Sequence, residues 1–345
     1  MGESSQEKGL SYVPHHPYNT PLANNLSSNP IVSDIPLIDI SGLFTSTHLS
    51  QRGLVVRRIM DACRRYGFFQ IINHGIEQST MDEAISMGTK FFELPNHEKE
   101  KLMSSNVHKP VRYCTSIMAE IDKVRFWRVF LKHYAHPLQE WLGLWPNNPP
   151  EYSEKMGKYA VEVRNVVMKI TGAITEGLGL GPIYMRDQME QGMQIMIING
   201  YPPCPNPSLA LGLPPHTDYS SLTIVLQSEP GLEIFDRDDN IWKLVPNVKG
   251  ALQVNVGDQI EVLSNGSYKG VIHRAIVNDK QTRVSVTSLH SLALEEKMVP
   301  ARELVDEEHP IGYKESSLND FLNFLSKIDI NKGNNAFIDT LKISE

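Results

Sequence analysis

Residues 222–235 read LTIVLQSEPGLEIF, two short apolar runs separated by a turn, and this pattern repeats up to residue 289. The runs are punctuated by Gly, Pro, Asn and Asp, and they are Leu222–Leu226, Leu232–Phe235, Trp242–Val245, Ala251–Val256, Glu261–Leu263, Val271–Val277 and Val284–Leu289. Many short strands at such spacing predict a β-sandwich or barrel.

Upstream of this stretch, apolar residues recur mostly at the spacing of an α-helix. Residues 55–66, 79–92 and 152–178 carry apolar side chains at helical spacing, and residues 317–327 do so near the C-terminus. The segments 35–40 and 68–73 are typical of short strands. Residues 108–150 are aromatic and rich in proline, which predicts an irregular region over a pocket. The sequence therefore predicts an α+β protein with a mostly helical N-terminal half.

Composition narrows the range of partners. The chain has 345 residues and a formal net charge of −7, which argues against nucleic acid or an anionic membrane as the main partner. No apolar run is long enough to span a bilayer, and the N-terminus lacks the order of a signal peptide. Three separated cysteines indicate a reducing compartment. We expect a cytoplasmic monomer that acts on a small molecule.

Two residues of one segment are candidate metal ligands. His216 and Asp218 are two positions apart, and residues i and i+2 of an extended segment project to the same side. A third ligand must come from a distant strand, and His273 lies within the apolar run Val271–Val277. Two histidines and one carboxylate suit non-haem Fe(II) with open coordination positions. Zinc in a hydrolase, which prefers a tetrahedral site, is the alternative.

An arginine follows the third candidate ligand. Arg283 and Ser285 share one face of a predicted strand, after His273 in the chain. A guanidinium that faces a cavity needs an anion. A dicarboxylate can bind iron at one end and Arg283 at the other, and this possibility favours Fe(II) over zinc.

The chain resembles the plant 2-oxoglutarate- and Fe(II)-dependent dioxygenases of specialised metabolism, and it is most similar to the subgroup of flavanone 3-dioxygenase-like and downy-mildew-resistance-type oxygenases. The resemblance runs from about Ile35 to Leu325. It is carried by the motifs Ile35-Pro36-Leu37-Ile38-Asp39, Gly67 to Gly75 (GFFQIINHG), Tyr201-Pro202-Pro203-Cys204-Pro205, His216-Thr217-Asp218, Asn255-Val256-Gly257-Asp258, Leu263-Ser264-Asn265-Gly266, His273-Arg274 and Arg283-Val284-Ser285.

The resemblance implies a double-stranded β-helix (jelly-roll) core that holds iron through His216, Asp218 and His273. It implies that Arg283 and Ser285 grip the distal carboxylate of the co-substrate 2-oxoglutarate, with Asn199 and Tyr201 nearby. It also implies that O2 is consumed, that 2-oxoglutarate is decarboxylated to succinate and CO2, and that ascorbate serves as reductant.

The same resemblance divides the chain into five regions. They are a flexible arm (1–33), an N-terminal dioxygenase region (34–150), a supporting helix with its connection (151–192), the Fe(II)/2-oxoglutarate core (193–295), and a C-terminal helix and tail that cover the pocket (296–345).

The substrate pocket is where this chain departs from the family pattern. Relatives often have Trp-Arg-Asp where this chain has Trp127-Arg128-Val129, and Tyr at the position of Gly200. The pocket candidates are apolar or aromatic residues, namely Tyr113, Ile117, Ile197, Tyr219, Leu289 and Phe321. These residues favour a flavonoid or other phenolic as the substrate. The alternative is a desaturase or demethylase of the same fold that acts on an alkaloid or terpenoid. An inactive small-molecule-binding module and an oxidase that does not use 2-oxoglutarate are the other classes that this sequence leaves open.

Overall fold

The computed structural model describes residues 31–32, 35–44, 49–115, 120–121, 124–327 and 336–343. The strands in these ranges are β1 Ile31–Val32, β2 Leu37–Asp39, β3 Phe68–Ile72, β4 Val111–Thr115, β5 Glu120–Ile121, β6 Val124–Phe126, β7 Val129–His136, β8 Met193–Tyr201, β9 Ala210–Leu211, β10 Leu213–His216, β11 Leu222–Gln227, β12 Leu232–Asp236, β13 Ile241–Leu244, β14 Leu252–Val256, β15 His273–Ala275 and β16 Arg283–Ser291. The helices are α1 Leu49–Arg65, α2 Gln78–Glu93, α3 Asn96–Glu100, α4 Leu138–Trp141, α5 Tyr152–Gly177, α6 Arg186–Glu190, α7 Asp258–Leu263, α8 Leu318–Lys327 and α9 Phe337–Leu341.

Two large sheets form the core. The eight-stranded sheet has the order β2-β3-β14-β11-β16-β8-β7-β4, and the five-stranded sheet has the order β1-β13-β12-β15-β10. Strands far apart in the chain are neighbours, since β8 pairs with β16 and β10 pairs with β15, both antiparallel. This confirms the predicted α+β class with a jelly-roll core.

Helix α2 covers the outer face of the eight-stranded sheet. At Gly88 of α2, an added Cβ would come within 2.7 Å of Ile198 Cγ2 and 3.2 Å of Val284 Cγ1. Glycine therefore lets the helix approach β8 and β16 more closely than any other residue would. Because side chains alternate along a strand, Ile197 and Asn199 point to the opposite, inner face.

The expectation of an irregular region over residues 108–150 was wrong in part. Strands β4 and β7 lie there and form one edge of the large sheet. The apolar alternation that normally predicts a strand is hidden because Arg112, Lys132 and His133 are polar yet buried. Buried polar residues interrupt the pattern without interrupting the strand.

The segment Glu261–Leu263, expected to be a strand, is the last turn of α7. Every residue of α7 is buried, so its sequence shows no period that distinguishes a helix from a strand. Gly257 is the residue immediately before the helix, and the backbone amides of Asp258 and Gln259 donate to the carbonyls of Asp218 and Ser220. This helix therefore supports the turn that carries Asp218.

The N-terminal arm predicted for residues 1–33 lies mostly outside the described residues. Only Ile31–Val32 of it is described, and this strand pairs with β13. Cys63, Cys114 and Cys204 are buried free thiols. Among the described helices, none has both the length and the apolar character needed to cross a bilayer.

Candidate active site

Three predicted ligands meet at one point between the sheets. His216 ends β10 and His273 begins β15, and the register of this pair places the two residues opposite each other. Asp218 follows two residues after His216. The ligand atoms of His216, Asp218 and His273 all lie within 4.8 Å of one another, and all three residues are buried. This donor set fits a divalent metal ion and leaves positions for other ligands.

Both imidazoles are oriented by backbone carbonyls. Nδ1 of His216 lies 2.8 Å from Pro214 O, and Nδ1 of His273 lies 3.1 Å from Val271 O. A protonated Nδ1 donates to each carbonyl, which leaves the Nε2 lone pair free for a metal. Each Nε2 faces the Asp218 carboxylate, at 3.6 Å for His216 and 3.7 Å for His273.

The charges at this point also favour a cation. Burial, with His216 beside it, lowers the pKa of His273 to about 4, so its imidazole is neutral at pH 7. Burial alone would raise the pKa of Asp218, but His273 and His216, with a hydrogen bond from Asn255, hold it below its ordinary value. The Asn255 amide donates to Asp218 Oδ2 at 3.1 Å. The site therefore offers a carboxylate together with the neutral imidazole of His273.

Arg283 lies on the inner face of the large sheet, at the start of β16. Its Nε donates to Glu229 O at 3.0 Å, and its Nη2 donates to Gln227 Oε1 at 2.8 Å. Its guanidinium carbon lies 4.9 Å from the centre of the Tyr201 ring. These contacts hold the guanidinium on three sides while the side chain is only 2% exposed.

The predicted neighbours of Arg283 are on the adjacent strand. The register pairs Arg283 with Tyr201 and Ser285 with Asn199. Asn199 Nδ2 donates to Ser285 Oγ at 3.2 Å. Arg283 Nη1 and Asn199 Oδ1 are buried and have no hydrogen-bond partner among the described residues. A buried orphan donor is costly. An anionic ligand at Arg283 Nη1 removes this cost, so the residues fit a carboxylate of 2-oxoglutarate.

One cavity joins the metal ligands to Arg283. Its walls come from both sheets, and the apolar part of its lining is formed by Ile197, Leu213, Val225, Leu232, Ala275 and Leu289. Arg128, Arg274 and Thr287 add polar groups to it. The cavity thus combines a candidate metal site, a candidate anion site and an apolar wall.

Two of the six pocket candidates line this cavity, Ile197 and Leu289. Ile117 lies outside the described residues. Tyr113 packs against Phe91 of α2, with ring centres 6.0 Å apart, and so lies on the outer face of the sheet. The prediction that Tyr113 lines the pocket was wrong by one position, because the neighbouring residue Arg112 is the one on the inner face of the sheet.

Tyr219 and Phe321 are also misplaced by the sequence prediction. Their rings stack at 4.9 Å, and Phe337 closes the same cluster. The Tyr219 hydroxyl shares a hydrogen bond with Ser316 Oγ at 2.9 Å. Both aromatic side chains therefore pack within the core and do not line the cavity. Their contacts attach α8 and α9 to the jelly roll.

The structure adds residues that the sequence did not single out. Gln227 is paired with Ser285 across β11 and β16, and its amide holds Arg283. Asn255 holds Asp218. Asn255 lies in a motif already noted, but only the sheet register shows that its amide reaches the carboxylate. Arg128 follows Trp127 in a second such motif and lines the cavity.

The two departures from the family pattern form one site. Val129 and Gly200 are paired across β7 and β8. A Cβ on Gly200 would lie 2.9 Å from Phe92 Cδ2 and 3.0 Å from Val129 Cγ2. Both positions therefore face α2, away from the cavity. The interpretation that they alter the substrate pocket was wrong, and they are one coupled change in packing.

Two family patterns match the chain. Residues 192–291 match the 2OG-Fe(II) oxygenase superfamily, and residues 35–151 match the N-terminal region named non-haem dioxygenase in morphine synthesis. The first range contains all three candidate metal ligands and Arg283.

Individual relatives cover most of the chain. Flavanone 3-dioxygenase 3 of Oryza sativa subsp. japonica is 49% identical over 292 residues, which are 85% of this chain and 88% of the relative. Protein DOWNY MILDEW RESISTANCE 6 of Arabidopsis thaliana is 39% identical and covers 84% of each chain. The crystal structure of JOX2 in complex with 2OG, Fe and JA superposes with a TM-score of 0.80 at 29% identity, covering 96% of this chain and 93% of that one.

Proposed function

Since the chain belongs to the plant 2-oxoglutarate- and Fe(II)-dependent dioxygenases, we propose that it hydroxylates a lipophilic plant metabolite. The first candidate substrate is a flavonoid or another phenolic. As a member of this family, the protein is an enzyme that uses Fe(II), 2-oxoglutarate and O2. The substrate and the hydroxylation are the proposed part. They are supported by the apolar wall of the cavity and by the flavanone 3-dioxygenase name of a relative that is 49% identical.

One observation carries the proposal. The His216, Asp218 and His273 side chains converge within 4.8 Å in the same buried cavity that contains Arg283. Arg283 lies on the eight-stranded sheet, whereas His216 and His273 lie on the five-stranded sheet, so a dicarboxylate that reaches both would lie between the sheets. Its other surface would then face the apolar wall of Ile197 and Leu289.

The residues of the chain have distinct roles in this reaction. His216, Asp218 and His273 would hold Fe(II), which with 2-oxoglutarate supplies the activation of O2 and the release of succinate and CO2. Asn255 keeps the Asp218 carboxylate fixed through the hydrogen bond to Oδ2. Arg283 orients the co-substrate by a charge-assisted hydrogen bond.

The burial of these groups also matters for the chemistry. His216, Asp218 and Arg283 are each at most 3% exposed, so bulk water has little access to these three side chains. In such surroundings the charges of Asp218 and Arg283 act over a low dielectric and bind more strongly. The apolar wall positions the C–H bond of the substrate by shape, since it offers few hydrogen bonds.

The test is release of succinate from 2-oxoglutarate by the purified protein with Fe(II), ascorbate and a panel of flavanones and simpler phenolics. We expect at least one phenolic to accelerate succinate release and to gain one oxygen atom, detected by mass spectrometry. A product that lost hydrogen or a methyl group would replace hydroxylation by desaturation or demethylation. Substrate oxidation that continues without 2-oxoglutarate would contradict the proposed reaction, and so would a protein that binds the panel without turnover.

A further inference from the structure

A second cavity lies along helix α5, and none of the described residues that line it also lines the cavity of the metal ligands. Its volume is about 500 Å³, within the range of small-molecule sites. The walls come from α1, α5, α6 and the connection between α5 and α6. We call it the helix cavity, and its lining includes Arg164, Met168, Lys169, Thr171, Met185 and Arg186.

One face of α5 and the chain that follows it form the helix cavity. Arg164, Met168 and Thr171 recur at intervals of four and three residues, so they share one face of the helix. A Cβ added at Gly172 would lie 2.8 Å from Pro182 O. This close approach brings the connection after α5 back over the helix, and the connection supplies a second wall of the cavity.

The helix cavity is positively charged in a negatively charged protein. The described residues that line it include four cations and a single carboxylate, whereas the whole chain has a formal net charge of −7. Arg52 is neutralised, because its Nη2 lies 2.6 Å from Glu176 Oε2. Arg164, Lys169 and Arg186 therefore leave an excess of positive charge.

The acceptors that Arg164 contacts carry no full negative charge. Its Nη2 donates to Met189 O and Glu190 O, both at 2.9 Å, and lies 3.1 Å from His136 Nε2. Its Nη1 donates to Met168 Sδ at 3.9 Å, and a thioether is a weak acceptor. Burial lowers the pKa of this guanidinium, and the charge of Glu190 offsets the effect in part. An anion in the helix cavity would stabilise the charged form.

Three lining residues have hydrogen-bonding groups that the described part of the chain does not use. Thr171 is 3% exposed, and its Oγ1 has no hydrogen-bond partner among the described residues. A buried hydroxyl without a partner is costly, so a ligand that bonds to it is favoured. The side chains of Lys169 and Arg186 form no hydrogen bond or ion pair with a described residue, and they keep their N–H donors for a ligand.

We propose that the helix cavity binds a small aromatic anion, with its phosphate or carboxylate group on these cations and its ring against Met168 and Met185. Arginine recognises both anionic groups through paired N–H donors. Methionine adapts to an aromatic ring through its flexible chain and polarisable sulfur. The site lies outside the active cavity, so the inference goes beyond the proposed function and is tested by binding rather than by turnover.

The test is calorimetric titration of the protein loaded with 2-oxoglutarate and one equivalent of Mn(II), which takes the place of Fe(II). The probes are phenyl phosphate, benzoate, inorganic phosphate and phenol. We expect phenyl phosphate or benzoate to bind at least about ten times as tightly as phenol, which keeps the ring but lacks the charge. The tighter of the two identifies the anionic group. Inorganic phosphate, which lacks the ring, should bind more weakly than phenyl phosphate.

Variants of the lining assign this binding to the helix cavity. Arg186→Gln and Lys169→Gln should each weaken binding of the preferred anion about five- to tenfold. Thr171→Val keeps the side-chain volume, removes the hydroxyl and should weaken it about threefold. Lys158→Gln is the matched control, because it removes an exposed cation from α5 outside the cavity and should keep the wild-type affinity. The affinity for 2-oxoglutarate should stay unchanged in every variant.

Three outcomes would overturn the inference: anions that bind no more tightly than phenol, an affinity that Arg186→Gln and Lys169→Gln leave unchanged, or an equal loss in Lys158→Gln. Inorganic phosphate that binds as tightly as phenyl phosphate would contradict the contact with the methionines. Succinate release is measured in parallel, and its absence would contradict the proposed function without affecting this inference.

Discussion

His216 and His273 face each other across the pairing of β10 and β15, with ring centres 4.1 Å apart. Sheet formation by itself therefore brings these two ligands together. Asp218 lies beyond the end of β10, and its position depends on the turn supported by α7 and on the hydrogen bond from Asn255. The carboxylate is thus the ligand whose placement most needs help from a neighbouring side chain.

Replacing Asn255 should weaken metal binding without removing any ligand. Asn255→Ala deletes the hydrogen bond to Asp218 Oδ2, so we expect the affinity for Mn(II) to fall about 10- to 100-fold, the usual effect of losing a group that orients a metal ligand. Calorimetric titration of the metal measures this change. Asn323→Ala, at an exposed position of α8, is the matched control. Equal affinities for wild type and Asn255→Ala would remove Asn255 from the site.

Replacing Arg283 should act on the co-substrate. Arg283→Met removes a buried charge-assisted contact worth about 1.5–3 kcal/mol, so the KM for 2-oxoglutarate should rise about 10- to 100-fold. Arg283→Lys keeps the charge but loses the bonds to Gln227 and to Glu229 O. Its KM for 2-oxoglutarate should therefore lie between that of the wild type and that of Arg283→Met. Steady-state succinate release at varied 2-oxoglutarate measures both. An unchanged KM in Arg283→Met would show that the anion binds elsewhere.

Replacing Gly200 with alanine should lower the free energy of unfolding. Gly200→Ala places a Cβ within 3.0 Å of Phe92 and Val129, and such overpacking costs about 1–3 kcal/mol. The cost should shrink in the Phe92→Ala background, with a coupling of at least about 0.5 kcal/mol in urea unfolding. Gly53→Ala is the control, because nothing lies within 4 Å of its added Cβ in α1. Additive free energies in the double variant would contradict the coupled packing of these positions.

His133 should make the fold sensitive to acid. Burial lowers the pKa of His133 to about 3, against an ordinary value of 6.5, and its Nε2 lies 2.9 Å from the Tyr152 hydroxyl. Between these pH values the unfolded chain binds a proton that the folded chain does not, so stability falls as pH falls. The free energy of unfolding should therefore decline more steeply in wild type than in His133→Phe, by up to about 1.4 kcal/mol per pH unit. Urea unfolding at pH 7, 6 and 5 checks this, and parallel declines would exclude His133 as a cause.

The three candidate metal ligands named from the sequence lie together in the structure, whereas three of the pocket candidates lie away from the cavity, and this difference has a physical reason. His216, Asp218 and Arg283 each carry chemistry that restricts where the residue can lie, so spacing and strand period were enough. Apolar and aromatic residues such as Tyr113 and Tyr219 pack equally well on either face of a strand or between helices. A shift of one position then moves a side chain from the cavity to the outer face, as the neighbours Arg112 and Tyr113 illustrate.

Buried polar residues caused the other errors. Lys132 and His133 hid strand β7, because period rules assume that buried positions are apolar. The fully buried α7 was mistaken for a strand, since a helix without a polar face has no recognisable period. Lys132, His133 and Glu261 each form a hydrogen bond with a distant residue, namely Val107, Tyr152 and Tyr313, and a single sequence does not display such contacts.

The central claim is that His216, Asp218 and His273 hold one Fe(II) next to 2-oxoglutarate, and an anaerobic titration tests it most directly. Fe(II) is added to the protein with 2-oxoglutarate, and the visible charge-transfer band of an Fe(II)–2-oxo acid chelate is recorded. We expect the band to saturate at one Fe(II) per wild-type chain, to be absent in Asp218→Ala, and to be unchanged in Asp279→Ala, which alters an exposed carboxylate. A wild-type protein without the band, or an Asp218→Ala variant that retains it, would contradict the account.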